Sequence, residues 1–402
     1  MLSPTAINRV LQPQNVLVDQ TNPDGHLPIG PVTDNVFKYL SPLDLVRFSR
    51  TSRQGYVAIT DYGKHAFSIT NLLGRYFSPT DVLGFRFLQA QTRTVISGSS
   101  ALQFFERVYY PESDLDIYVE ARRVEPVAEW LTYAGYELLP DPLEGQVASL
   151  DERLLKLDKK MREHCPGMFK QSLVEEEGTY LGRCMVKVYN YYRKIDPTKR
   201  IQLILTYNSP LELILAFHST CVMNIITHDT AYALFPYATF EQKVTLVIEK
   251  SRDERCLEKY RTRGWKVLNQ VPQAEAYDPR SDFYAPSRVE GIGAVRYVGD
   301  KRCWTIPLSP EMGTEKPEFT KYLNSWQLIH SAYTSNRGYP TSDVKFKILR
   351  SRMLENSYTV ALKPAIFLEP ILLALEDHIG QKLDHDVENL LRNYFESFNG
   401  PE

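Results

Sequence analysis

One stretch constrains the fold more than any other: VISGSSALQFFERVYYPESDLDIYVE, residues 95–120. Thr94-Val95-Ile96 is β-branched and runs into Gly98-Ser99, the pattern of a strand ending in a tight turn. Ala101 to Val108 then reads as a helix with Leu102 and Phe105 on one face, and Leu115 to Val119 reads as a second strand. Alternate residues of a strand share a face, so Asp114 and Asp116 project together, roughly 6–7 Å apart along the strand. Leu115 and Ile117 point the other way, into a core. Two carboxylates on one face repel unless a cation lies between them, and Mg²⁺ favours oxygen ligands shared with substrate phosphates. The backbone N–H groups of a helix start beside small residues suit a phosphate. The plain alternative is a surface acidic pair beside an ordinary turn.

The order strand, Gly-Ser, helix, S-D-L-D-I-Y-V resembles the signature of the polymerase-beta-like nucleotidyltransferase superfamily, over about 94–227. The resemblance implies that Gly98 and Ser99 hold the phosphates of a nucleoside triphosphate and that Asp114 and Asp116 bind Mg²⁺ as catalytic metal ligands. Fourteen residues separate Ser99 from Asp114, at or just past the long end of that pattern. The family also needs a third carboxylate on a neighbouring strand. The two places to look, Ile201-Gln202-Leu203-Ile204 and Phe217-His218-Ser219-Thr220, carry Gln202 and His218, neither an anionic oxygen ligand. Asp196, in a turn before Pro197, and Glu212, on a helix, are in the wrong register. In-line displacement with two metals depends on charge neutralisation at both oxygens, so the missing acid weakens the expectation of catalysis more than that of the fold.

A second resemblance lies at 27–53. Leu27-Pro28, then Val36-Phe37-Lys38-Tyr39-Leu40-Ser41-Pro42-Leu43-Asp44-Leu45, then Phe48-Ser49-Arg50-Thr51-Ser52-Arg53 resembles an F-box. This implies a small helical bundle whose apolar surface docks a Skp-type adaptor of a cullin ubiquitin ligase, with Leu27, Pro28, Phe37, Leu40, Leu43 and Leu45 as docking residues. The usual acid after Leu-Pro is replaced by Ile29-Gly30. A bundle of about 45 residues is near the lower limit for independent stability, so a partner or neighbouring domain must cover it. The plain alternative is a helical cap on the α/β domain.

The expected organisation is α+β: a loose arm over 1–25, an F-box-like module of two or three short helices over 26–72, a nucleotidyltransferase-like mixed-sheet domain over 73–230, and a mainly helical region over 231–402. Helices are expected at 239–263, 317–331, 342–355 and 366–397, with a loop-rich stretch at 269–315 that holds a short strand at Arg302 to Ile306. A charged helix is expected over 149–163 and a loop over 164–181. The segment 249–266 carries seven basic residues and four acids. Arg252, Arg255 and Lys259 can share a helical face, either as a phosphate contact near the acidic pair or, as favoured here, as part of a solvated helix laced with ion pairs. His164-Cys165 and Asp384-His385-Asp386 lack a second half at zinc spacing and read as surface or packing residues.

Composition narrows the partners. Lys plus Arg is 47 and Asp plus Glu 49, a net charge of −2, so a general nucleic-acid coat is not expected. Cysteines at 165, 184, 221, 256 and 303 form no C-x-x-C pair, which fits reduced thiols in a cytoplasmic or nuclear protein. No secretory leader is expected at the start. No apolar run approaches membrane-spanning length; the best, Ile366 to Leu375, is broken by Glu369 and Pro370. The leading functional expectation is an F-box-type adaptor whose nucleotidyltransferase-like domain binds a nucleotide or a protein substrate without efficient catalysis. The alternatives are an active Mg²⁺-dependent nucleotidyltransferase, and a scaffold with neither activity.

Overall fold

Serines start four of the first five described helices. The computed structural model describes residues 31–140, 185–248, 254–286, 294–308, 321–331, 341–351, 353–375 and 382–399. Within it, helices span Pro31–Phe37, Pro42–Ser49, Arg53–Ala66, Ile69–Leu73 and Pro79–Thr92. Ser41, Ser52, Ser68 and Ser78 each accept a backbone N–H from the residue three positions on, satisfying a donor that the first turn leaves open. Pro42 and Pro79 occupy the first helical position, where a missing N–H costs nothing. The segment expected to hold two or three short helices thus holds four among the described residues. Leu27 and Pro28 lie outside the described residues, as do the arm over 1–25, the segment 149–181, Arg252 and His164-Cys165.

The centre is an eight-stranded mixed sheet. Its strands are β1 (Val95–Ile96), β2 (Leu115–Glu120), β3 (Tyr136–Leu138), β4 (Met185–Arg193), β5 (Asp196–Thr206), β6 (Asn224–Ile226), β7 (Thr230–Ala233) and, from much later in the chain, Trp304–Pro307. Their order is Trp304–Pro307, β7, β6, β1, β2, β5, β4, β3. β2 and β5 run parallel, with Asp116 opposite Gln202 and Ile117 opposite Leu203; their other neighbours run antiparallel. Leu115, Ile117 and Val119 are fully buried on one face of β2 against the helices Gly98–Glu106 and Val124–Tyr133. Asp116, Tyr118 and Glu120 take the other face, where Tyr118 and Ile204 join a second apolar cluster with Leu211 and Ile214.

The boundary expected near residue 72 is not a boundary in the packing. Phe37, Leu45, Val46, Ile59 and Tyr62 belong to the same continuous core as Phe104, Phe105, Ile117 and Trp304. Phe67 meets Trp304 edge-on at 5.3 Å between ring centres. Arg107 ties the two parts together, donating to the carbonyls of Phe37 (3.2 Å) and Leu40 (2.6 Å) and to the Tyr62 hydroxyl (3.1 Å). The Leu43 N–H donates to Glu241 at 2.7 Å. About 45 residues cannot bury their own apolar surface, and the sheet domain does it for them.

The region 231–402 departs from the mainly helical expectation. Among its described residues are β8 (Val244–Leu246), β9 (Lys266–Leu268), β10 (Val295–Tyr297), β11 (Trp304–Pro307), β12 (Ser325–Ser331), β13 (Thr341–Lys345), β14 (Lys347–Leu349) and β15 (Tyr358–Val360). Helices are kept at Glu254–Thr262, Leu362–Leu375 and Asp384–Asn399. Where 317–331 was expected to be helical, β12 pairs with β10 and β13; 342–355 likewise holds β13 and β14. The reason in β12 is burial on both faces: Trp326, Gln327, Leu328 and Ile329 are all buried, so no period-two alternation reaches the sequence. β7 and β11 complete the central sheet, so the division at 230 also falls inside one packed unit. Among the described residues no helix is long and apolar enough to cross a membrane.

Candidate functional site

The turn between β1 and the helix Gly98–Glu106 is held by two serines. Ser97 N–H donates to the Asp116 carbonyl at 3.3 Å, and its hydroxyl donates to the Asn224 carbonyl at 2.6 Å. Ser100 hydroxyl donates to the Asp114 carbonyl at 2.9 Å. Gly98 has φ of +62°, a region L side chains rarely adopt. A Cβ there would lie 2.6 Å from Asp116 Oδ2 and 3.6 Å from the Tyr118 hydroxyl. Glycine is therefore required twice, for conformation and for space.

The backbone N–H of Ser99 lies close enough to favour the charged form of the Asp116 carboxyl. The first turn of the helix thus faces a carboxylate on β2, and the Ser99 residue remains partly exposed. Asp114 stands immediately before the first residue of β2. Burial raises the Asp114 carboxyl above the ordinary range, opposed by the charges of Arg200 and Lys259. Asp116 goes further: burial pushes it up to about 7, the neighbouring Asp114 charge adds, and Lys259 and the Ser99 N–H oppose. The structure thus brings together the four residues singled out on this motif, Gly98, Ser99, Asp114 and Asp116. The Asp116 carboxyl senses the Asp114 charge, a repulsion of the kind a divalent cation relieves. Carboxylate and phosphate oxygens are the ligand type that Mg²⁺ takes. Among the described residues no group of three or more His, Cys, Asp or Glu side chains gathers around one point.

Gln202 stands beside Asp116 in the parallel register, and Asn190 stands beside Gln202 on β4. Gln202 Nε2 donates to Asn190 Oδ1 at 3.2 Å. Two amides therefore occupy the row that starts with Asp116. His218 is placed differently: its Nδ1 is 2.8 Å from the Ser219 hydroxyl, and its ring lies 5.6 Å from that of Tyr260. Asp196 begins β5, six residues before Gln202, or about 20 Å along the strand. Glu212 is buried and accepts from Asn208 Nδ2 at 2.8 Å. Neither acid belongs to the site.

The charged helix Glu254–Thr262 divides between the two readings of its sequence. Arg261 pairs with Glu258 at 3.0 Å and Glu254 at 3.4 Å on the solvent side, and Arg255 is exposed. Lys259 instead acts on both Asp114 and Asp116, and the buried Tyr260 senses Asp116. Just past the helix, Arg263 lies 3.7 Å over the ring of Tyr110. On the other side Arg75 lies 4.6 Å over Tyr109, and Tyr76 donates to the Ser113 carbonyl at 2.8 Å. These neighbours arrive from 75–76, 200 and 259–263. The one advance signal for them was the helical spacing of basic residues around Lys259.

The N-terminal candidates resolve differently from their surface assignment. Phe37, Leu43 and Leu45 are buried at 3%, 6% and 0% exposure, so their side chains serve the internal core. Phe37 packs on Phe48 and Tyr62 at 5.3 and 5.5 Å between ring centres. Leu40 is partly exposed, and the open apolar surface belongs to Val36 and Tyr39, at 57% and 81%. Asp384 of the Asp-His-Asp run accepts from the Glu355 N–H at 2.7 Å and from the Tyr358 hydroxyl, a packing role. No family model, curated protein or solved structure matches this chain.

Proposed function

We propose that the sheet domain is nucleotidyltransferase-like and holds a nucleoside triphosphate with Mg²⁺ at Gly98, Ser99, Asp114 and Asp116, with little or no transfer. The observation that carries this reading is the close approach of the Gly98 turn to the Asp116 carboxylate, 2.6 Å from where a Gly98 Cβ would stand, while Gln202 stands beside Asp116 in register. Mg²⁺ would neutralise the repelling pair and polarise the phosphate. Asp114 and Asp116 would hold it, the Gly98-Ser99 turn would orient phosphate oxygens, and Lys259 would add positive charge at the rim. Gln202 supplies a neutral amide where a third anionic ligand is needed, and one of its donors already serves Asn190. Binding needs only part of such a site. Transfer needs a second charge-neutralising centre, whose loss costs several orders of magnitude in rate.

The helical N-terminal part is the proposed F-box-like element for a Skp-type adaptor, with Val36, Tyr39 and Leu40 as its accessible apolar surface. In this reading the chain works as a ligase adaptor in the cytoplasm or nucleus. Cys221, Cys256 and Cys303 are in no disulfide, which fits a reducing compartment. An active nucleotidyltransferase is the competing reading. Calorimetry with each nucleoside triphosphate and Mg²⁺, beside a transfer assay with labelled nucleotide, separates them. Metal-dependent binding without turnover, lost in Asp114→Asn/Asp116→Asn, supports the first. Robust turnover lost in that double variant supports the second. Absence of binding in the wild type removes both and leaves a scaffold.

A further inference from the structure

A cavity of about 60 Å³ lies at the end of the sheet away from the acidic pair. Glu120 lines it, four residues along β2 from Asp116 and so about 13 Å distant. Its volume is several times the roughly 10–15 Å³ that admits one water. The walls are mainly apolar, with Leu211, Ile214 and Ile225 prominent, all three almost fully buried. A cavity of this size with such walls suits a short hydrocarbon body.

The polar groups around it are unequally occupied. Glu120 pairs with Arg122 at 2.9 Å and lies 3.9 Å from Arg123. Tyr358 donates its hydroxyl to Asp384, and Asn356 accepts from Arg123 at 2.7 Å. Arg93, also in the lining, differs from Glu120. Its contact is one long hydrogen bond, 3.4 Å from Nη1 to the Tyr358 hydroxyl, and among the described residues it has no carboxylate within ion-pair distance. Its backbone adds a second, independent sign. Arg93 ends the helix Pro79–Thr92 in the left-handed region, with φ of 55° and ψ of 28°. Glycine or asparagine normally fills that position. A long cationic side chain held there in a strained conformation, at the edge of a cavity, points to a use for the guanidinium.

We infer that this cavity binds a small organic monocarboxylate, its apolar body against Leu211, Ile214 and Ile225 and its carboxylate on the guanidinium of Arg93. Guanidinium and carboxylate match in planar geometry, and the pair is stronger than a neutral hydrogen bond. Glu120 does not oppose the ligand because its charge is matched by Arg122. The site is separate from the proposed nucleotide site and does not depend on it.

The test is ligand-observed NMR on the full chain with pentanoate, pentanamide and pentylammonium, followed by calorimetry. Pentanoate is expected to bind with Kd on the order of 1 mM or tighter, and the isosteric amide at least about tenfold more weakly. Arg93→Asn removes the charge while tolerating the left-handed backbone. It is expected to lose the preference for pentanoate while keeping the wild-type melting profile. Equal affinity for acid and amide in the wild type, or preference for the ammonium, overturns the inference. So does undiminished pentanoate binding in Arg93→Asn, or no binding by any of the three probes.

Discussion

Asp116 and Gln202 stand side by side on the parallel strands β2 and β5, a carboxylate paired in register with an amide. The register places residue 202, from a second strand, directly beside Asp116. Gln202→Asp restores an anionic oxygen there. Three close carboxylates repel without metal, so the variant is expected to be less stable than wild type in EDTA and to regain stability as Mg²⁺ is added. Its Mg²⁺-dependent nucleotide affinity should rise at least about tenfold if residue 202 faces the metal. Denaturant unfolding with and without Mg²⁺ reads the first effect, calorimetry the second. Identical Mg²⁺ dependence in both proteins argues against the shared site.

Gly98 tests the turn itself. Gly98→Ala places a Cβ 2.6 Å from Asp116 Oδ2 at a residue with φ of +62°. Backbone strain of this kind costs about 1–3 kcal/mol, and the carboxylate must also move. The variant is expected to unfold at lower denaturant concentration and to lose Mg²⁺-dependent nucleotide binding. A fully stable Gly98→Ala that binds like wild type is incompatible with the turn described.

Asp116 gives a pH signature. Its carboxyl is raised from the ordinary 3.8 to about 7, chiefly by burial. The folded state therefore holds a proton that the unfolded state has released between about pH 4 and 7. Stability from this group is fully present below the unfolded value and is lost as pH rises through 7. Asp116→Asn keeps the neutral character at every pH. It should flatten the pH dependence of unfolding and exceed wild type at pH 8 by on the order of 1–3 kcal/mol. If Asp116 holds Mg²⁺ as proposed, binding should have the opposite slope in the wild type, tightening from pH 6 to 8 as the proton leaves. Urea melts across pH 4 to 8 with both proteins decide it. A wild-type curve rising over this range would contradict the sign.

The N-terminal bundle separates docking from folding. Leu45 is fully buried, so Leu45→Asp should cost about 3–5 kcal/mol through an unpaired buried charge. Its failure to bind an adaptor would say nothing about the docking surface. Tyr39→Asp and Val36→Asp, on exposed positions, should leave the melting profile within about 0.5 kcal/mol of wild type and abolish co-purification with a Skp-type adaptor. Retained co-purification in both would remove the F-box reading. Deleting residues 26–60 should destabilise the sheet domain as well, since Arg107, Glu241 and the core around Phe105 lose their partners.

The stretch 95–120 was legible because everything it needed was local. Strand, turn, helix and strand follow one another, and period two alone puts Leu115 and Ile117 in the core and Asp116 on the opposite face. The serine caps and helix-start prolines at 41–42 and 78–79 are local in the same sense. The run from β13 into β14 carried a readable signal too: Val344, Phe346 and Ile348 alternate with Lys345 and Lys347, an alternation that a helical reading of 342–355 overlooks. Tertiary structure alone decided the rest. A strand buried on both faces, like β12, shows no alternation, so its type depends on what covers it. The pairing of Asp116 with Gln202 rather than with His218 is set by the register of strands more than 80 residues apart. Leu43 and Leu45 are equally hydrophobic as core and as docking surface, and only the neighbours supplied by Phe105, Trp304 and Glu241 determine which they become. Hydrophobicity is a property of the residue, while burial is a property of everything that folds against it.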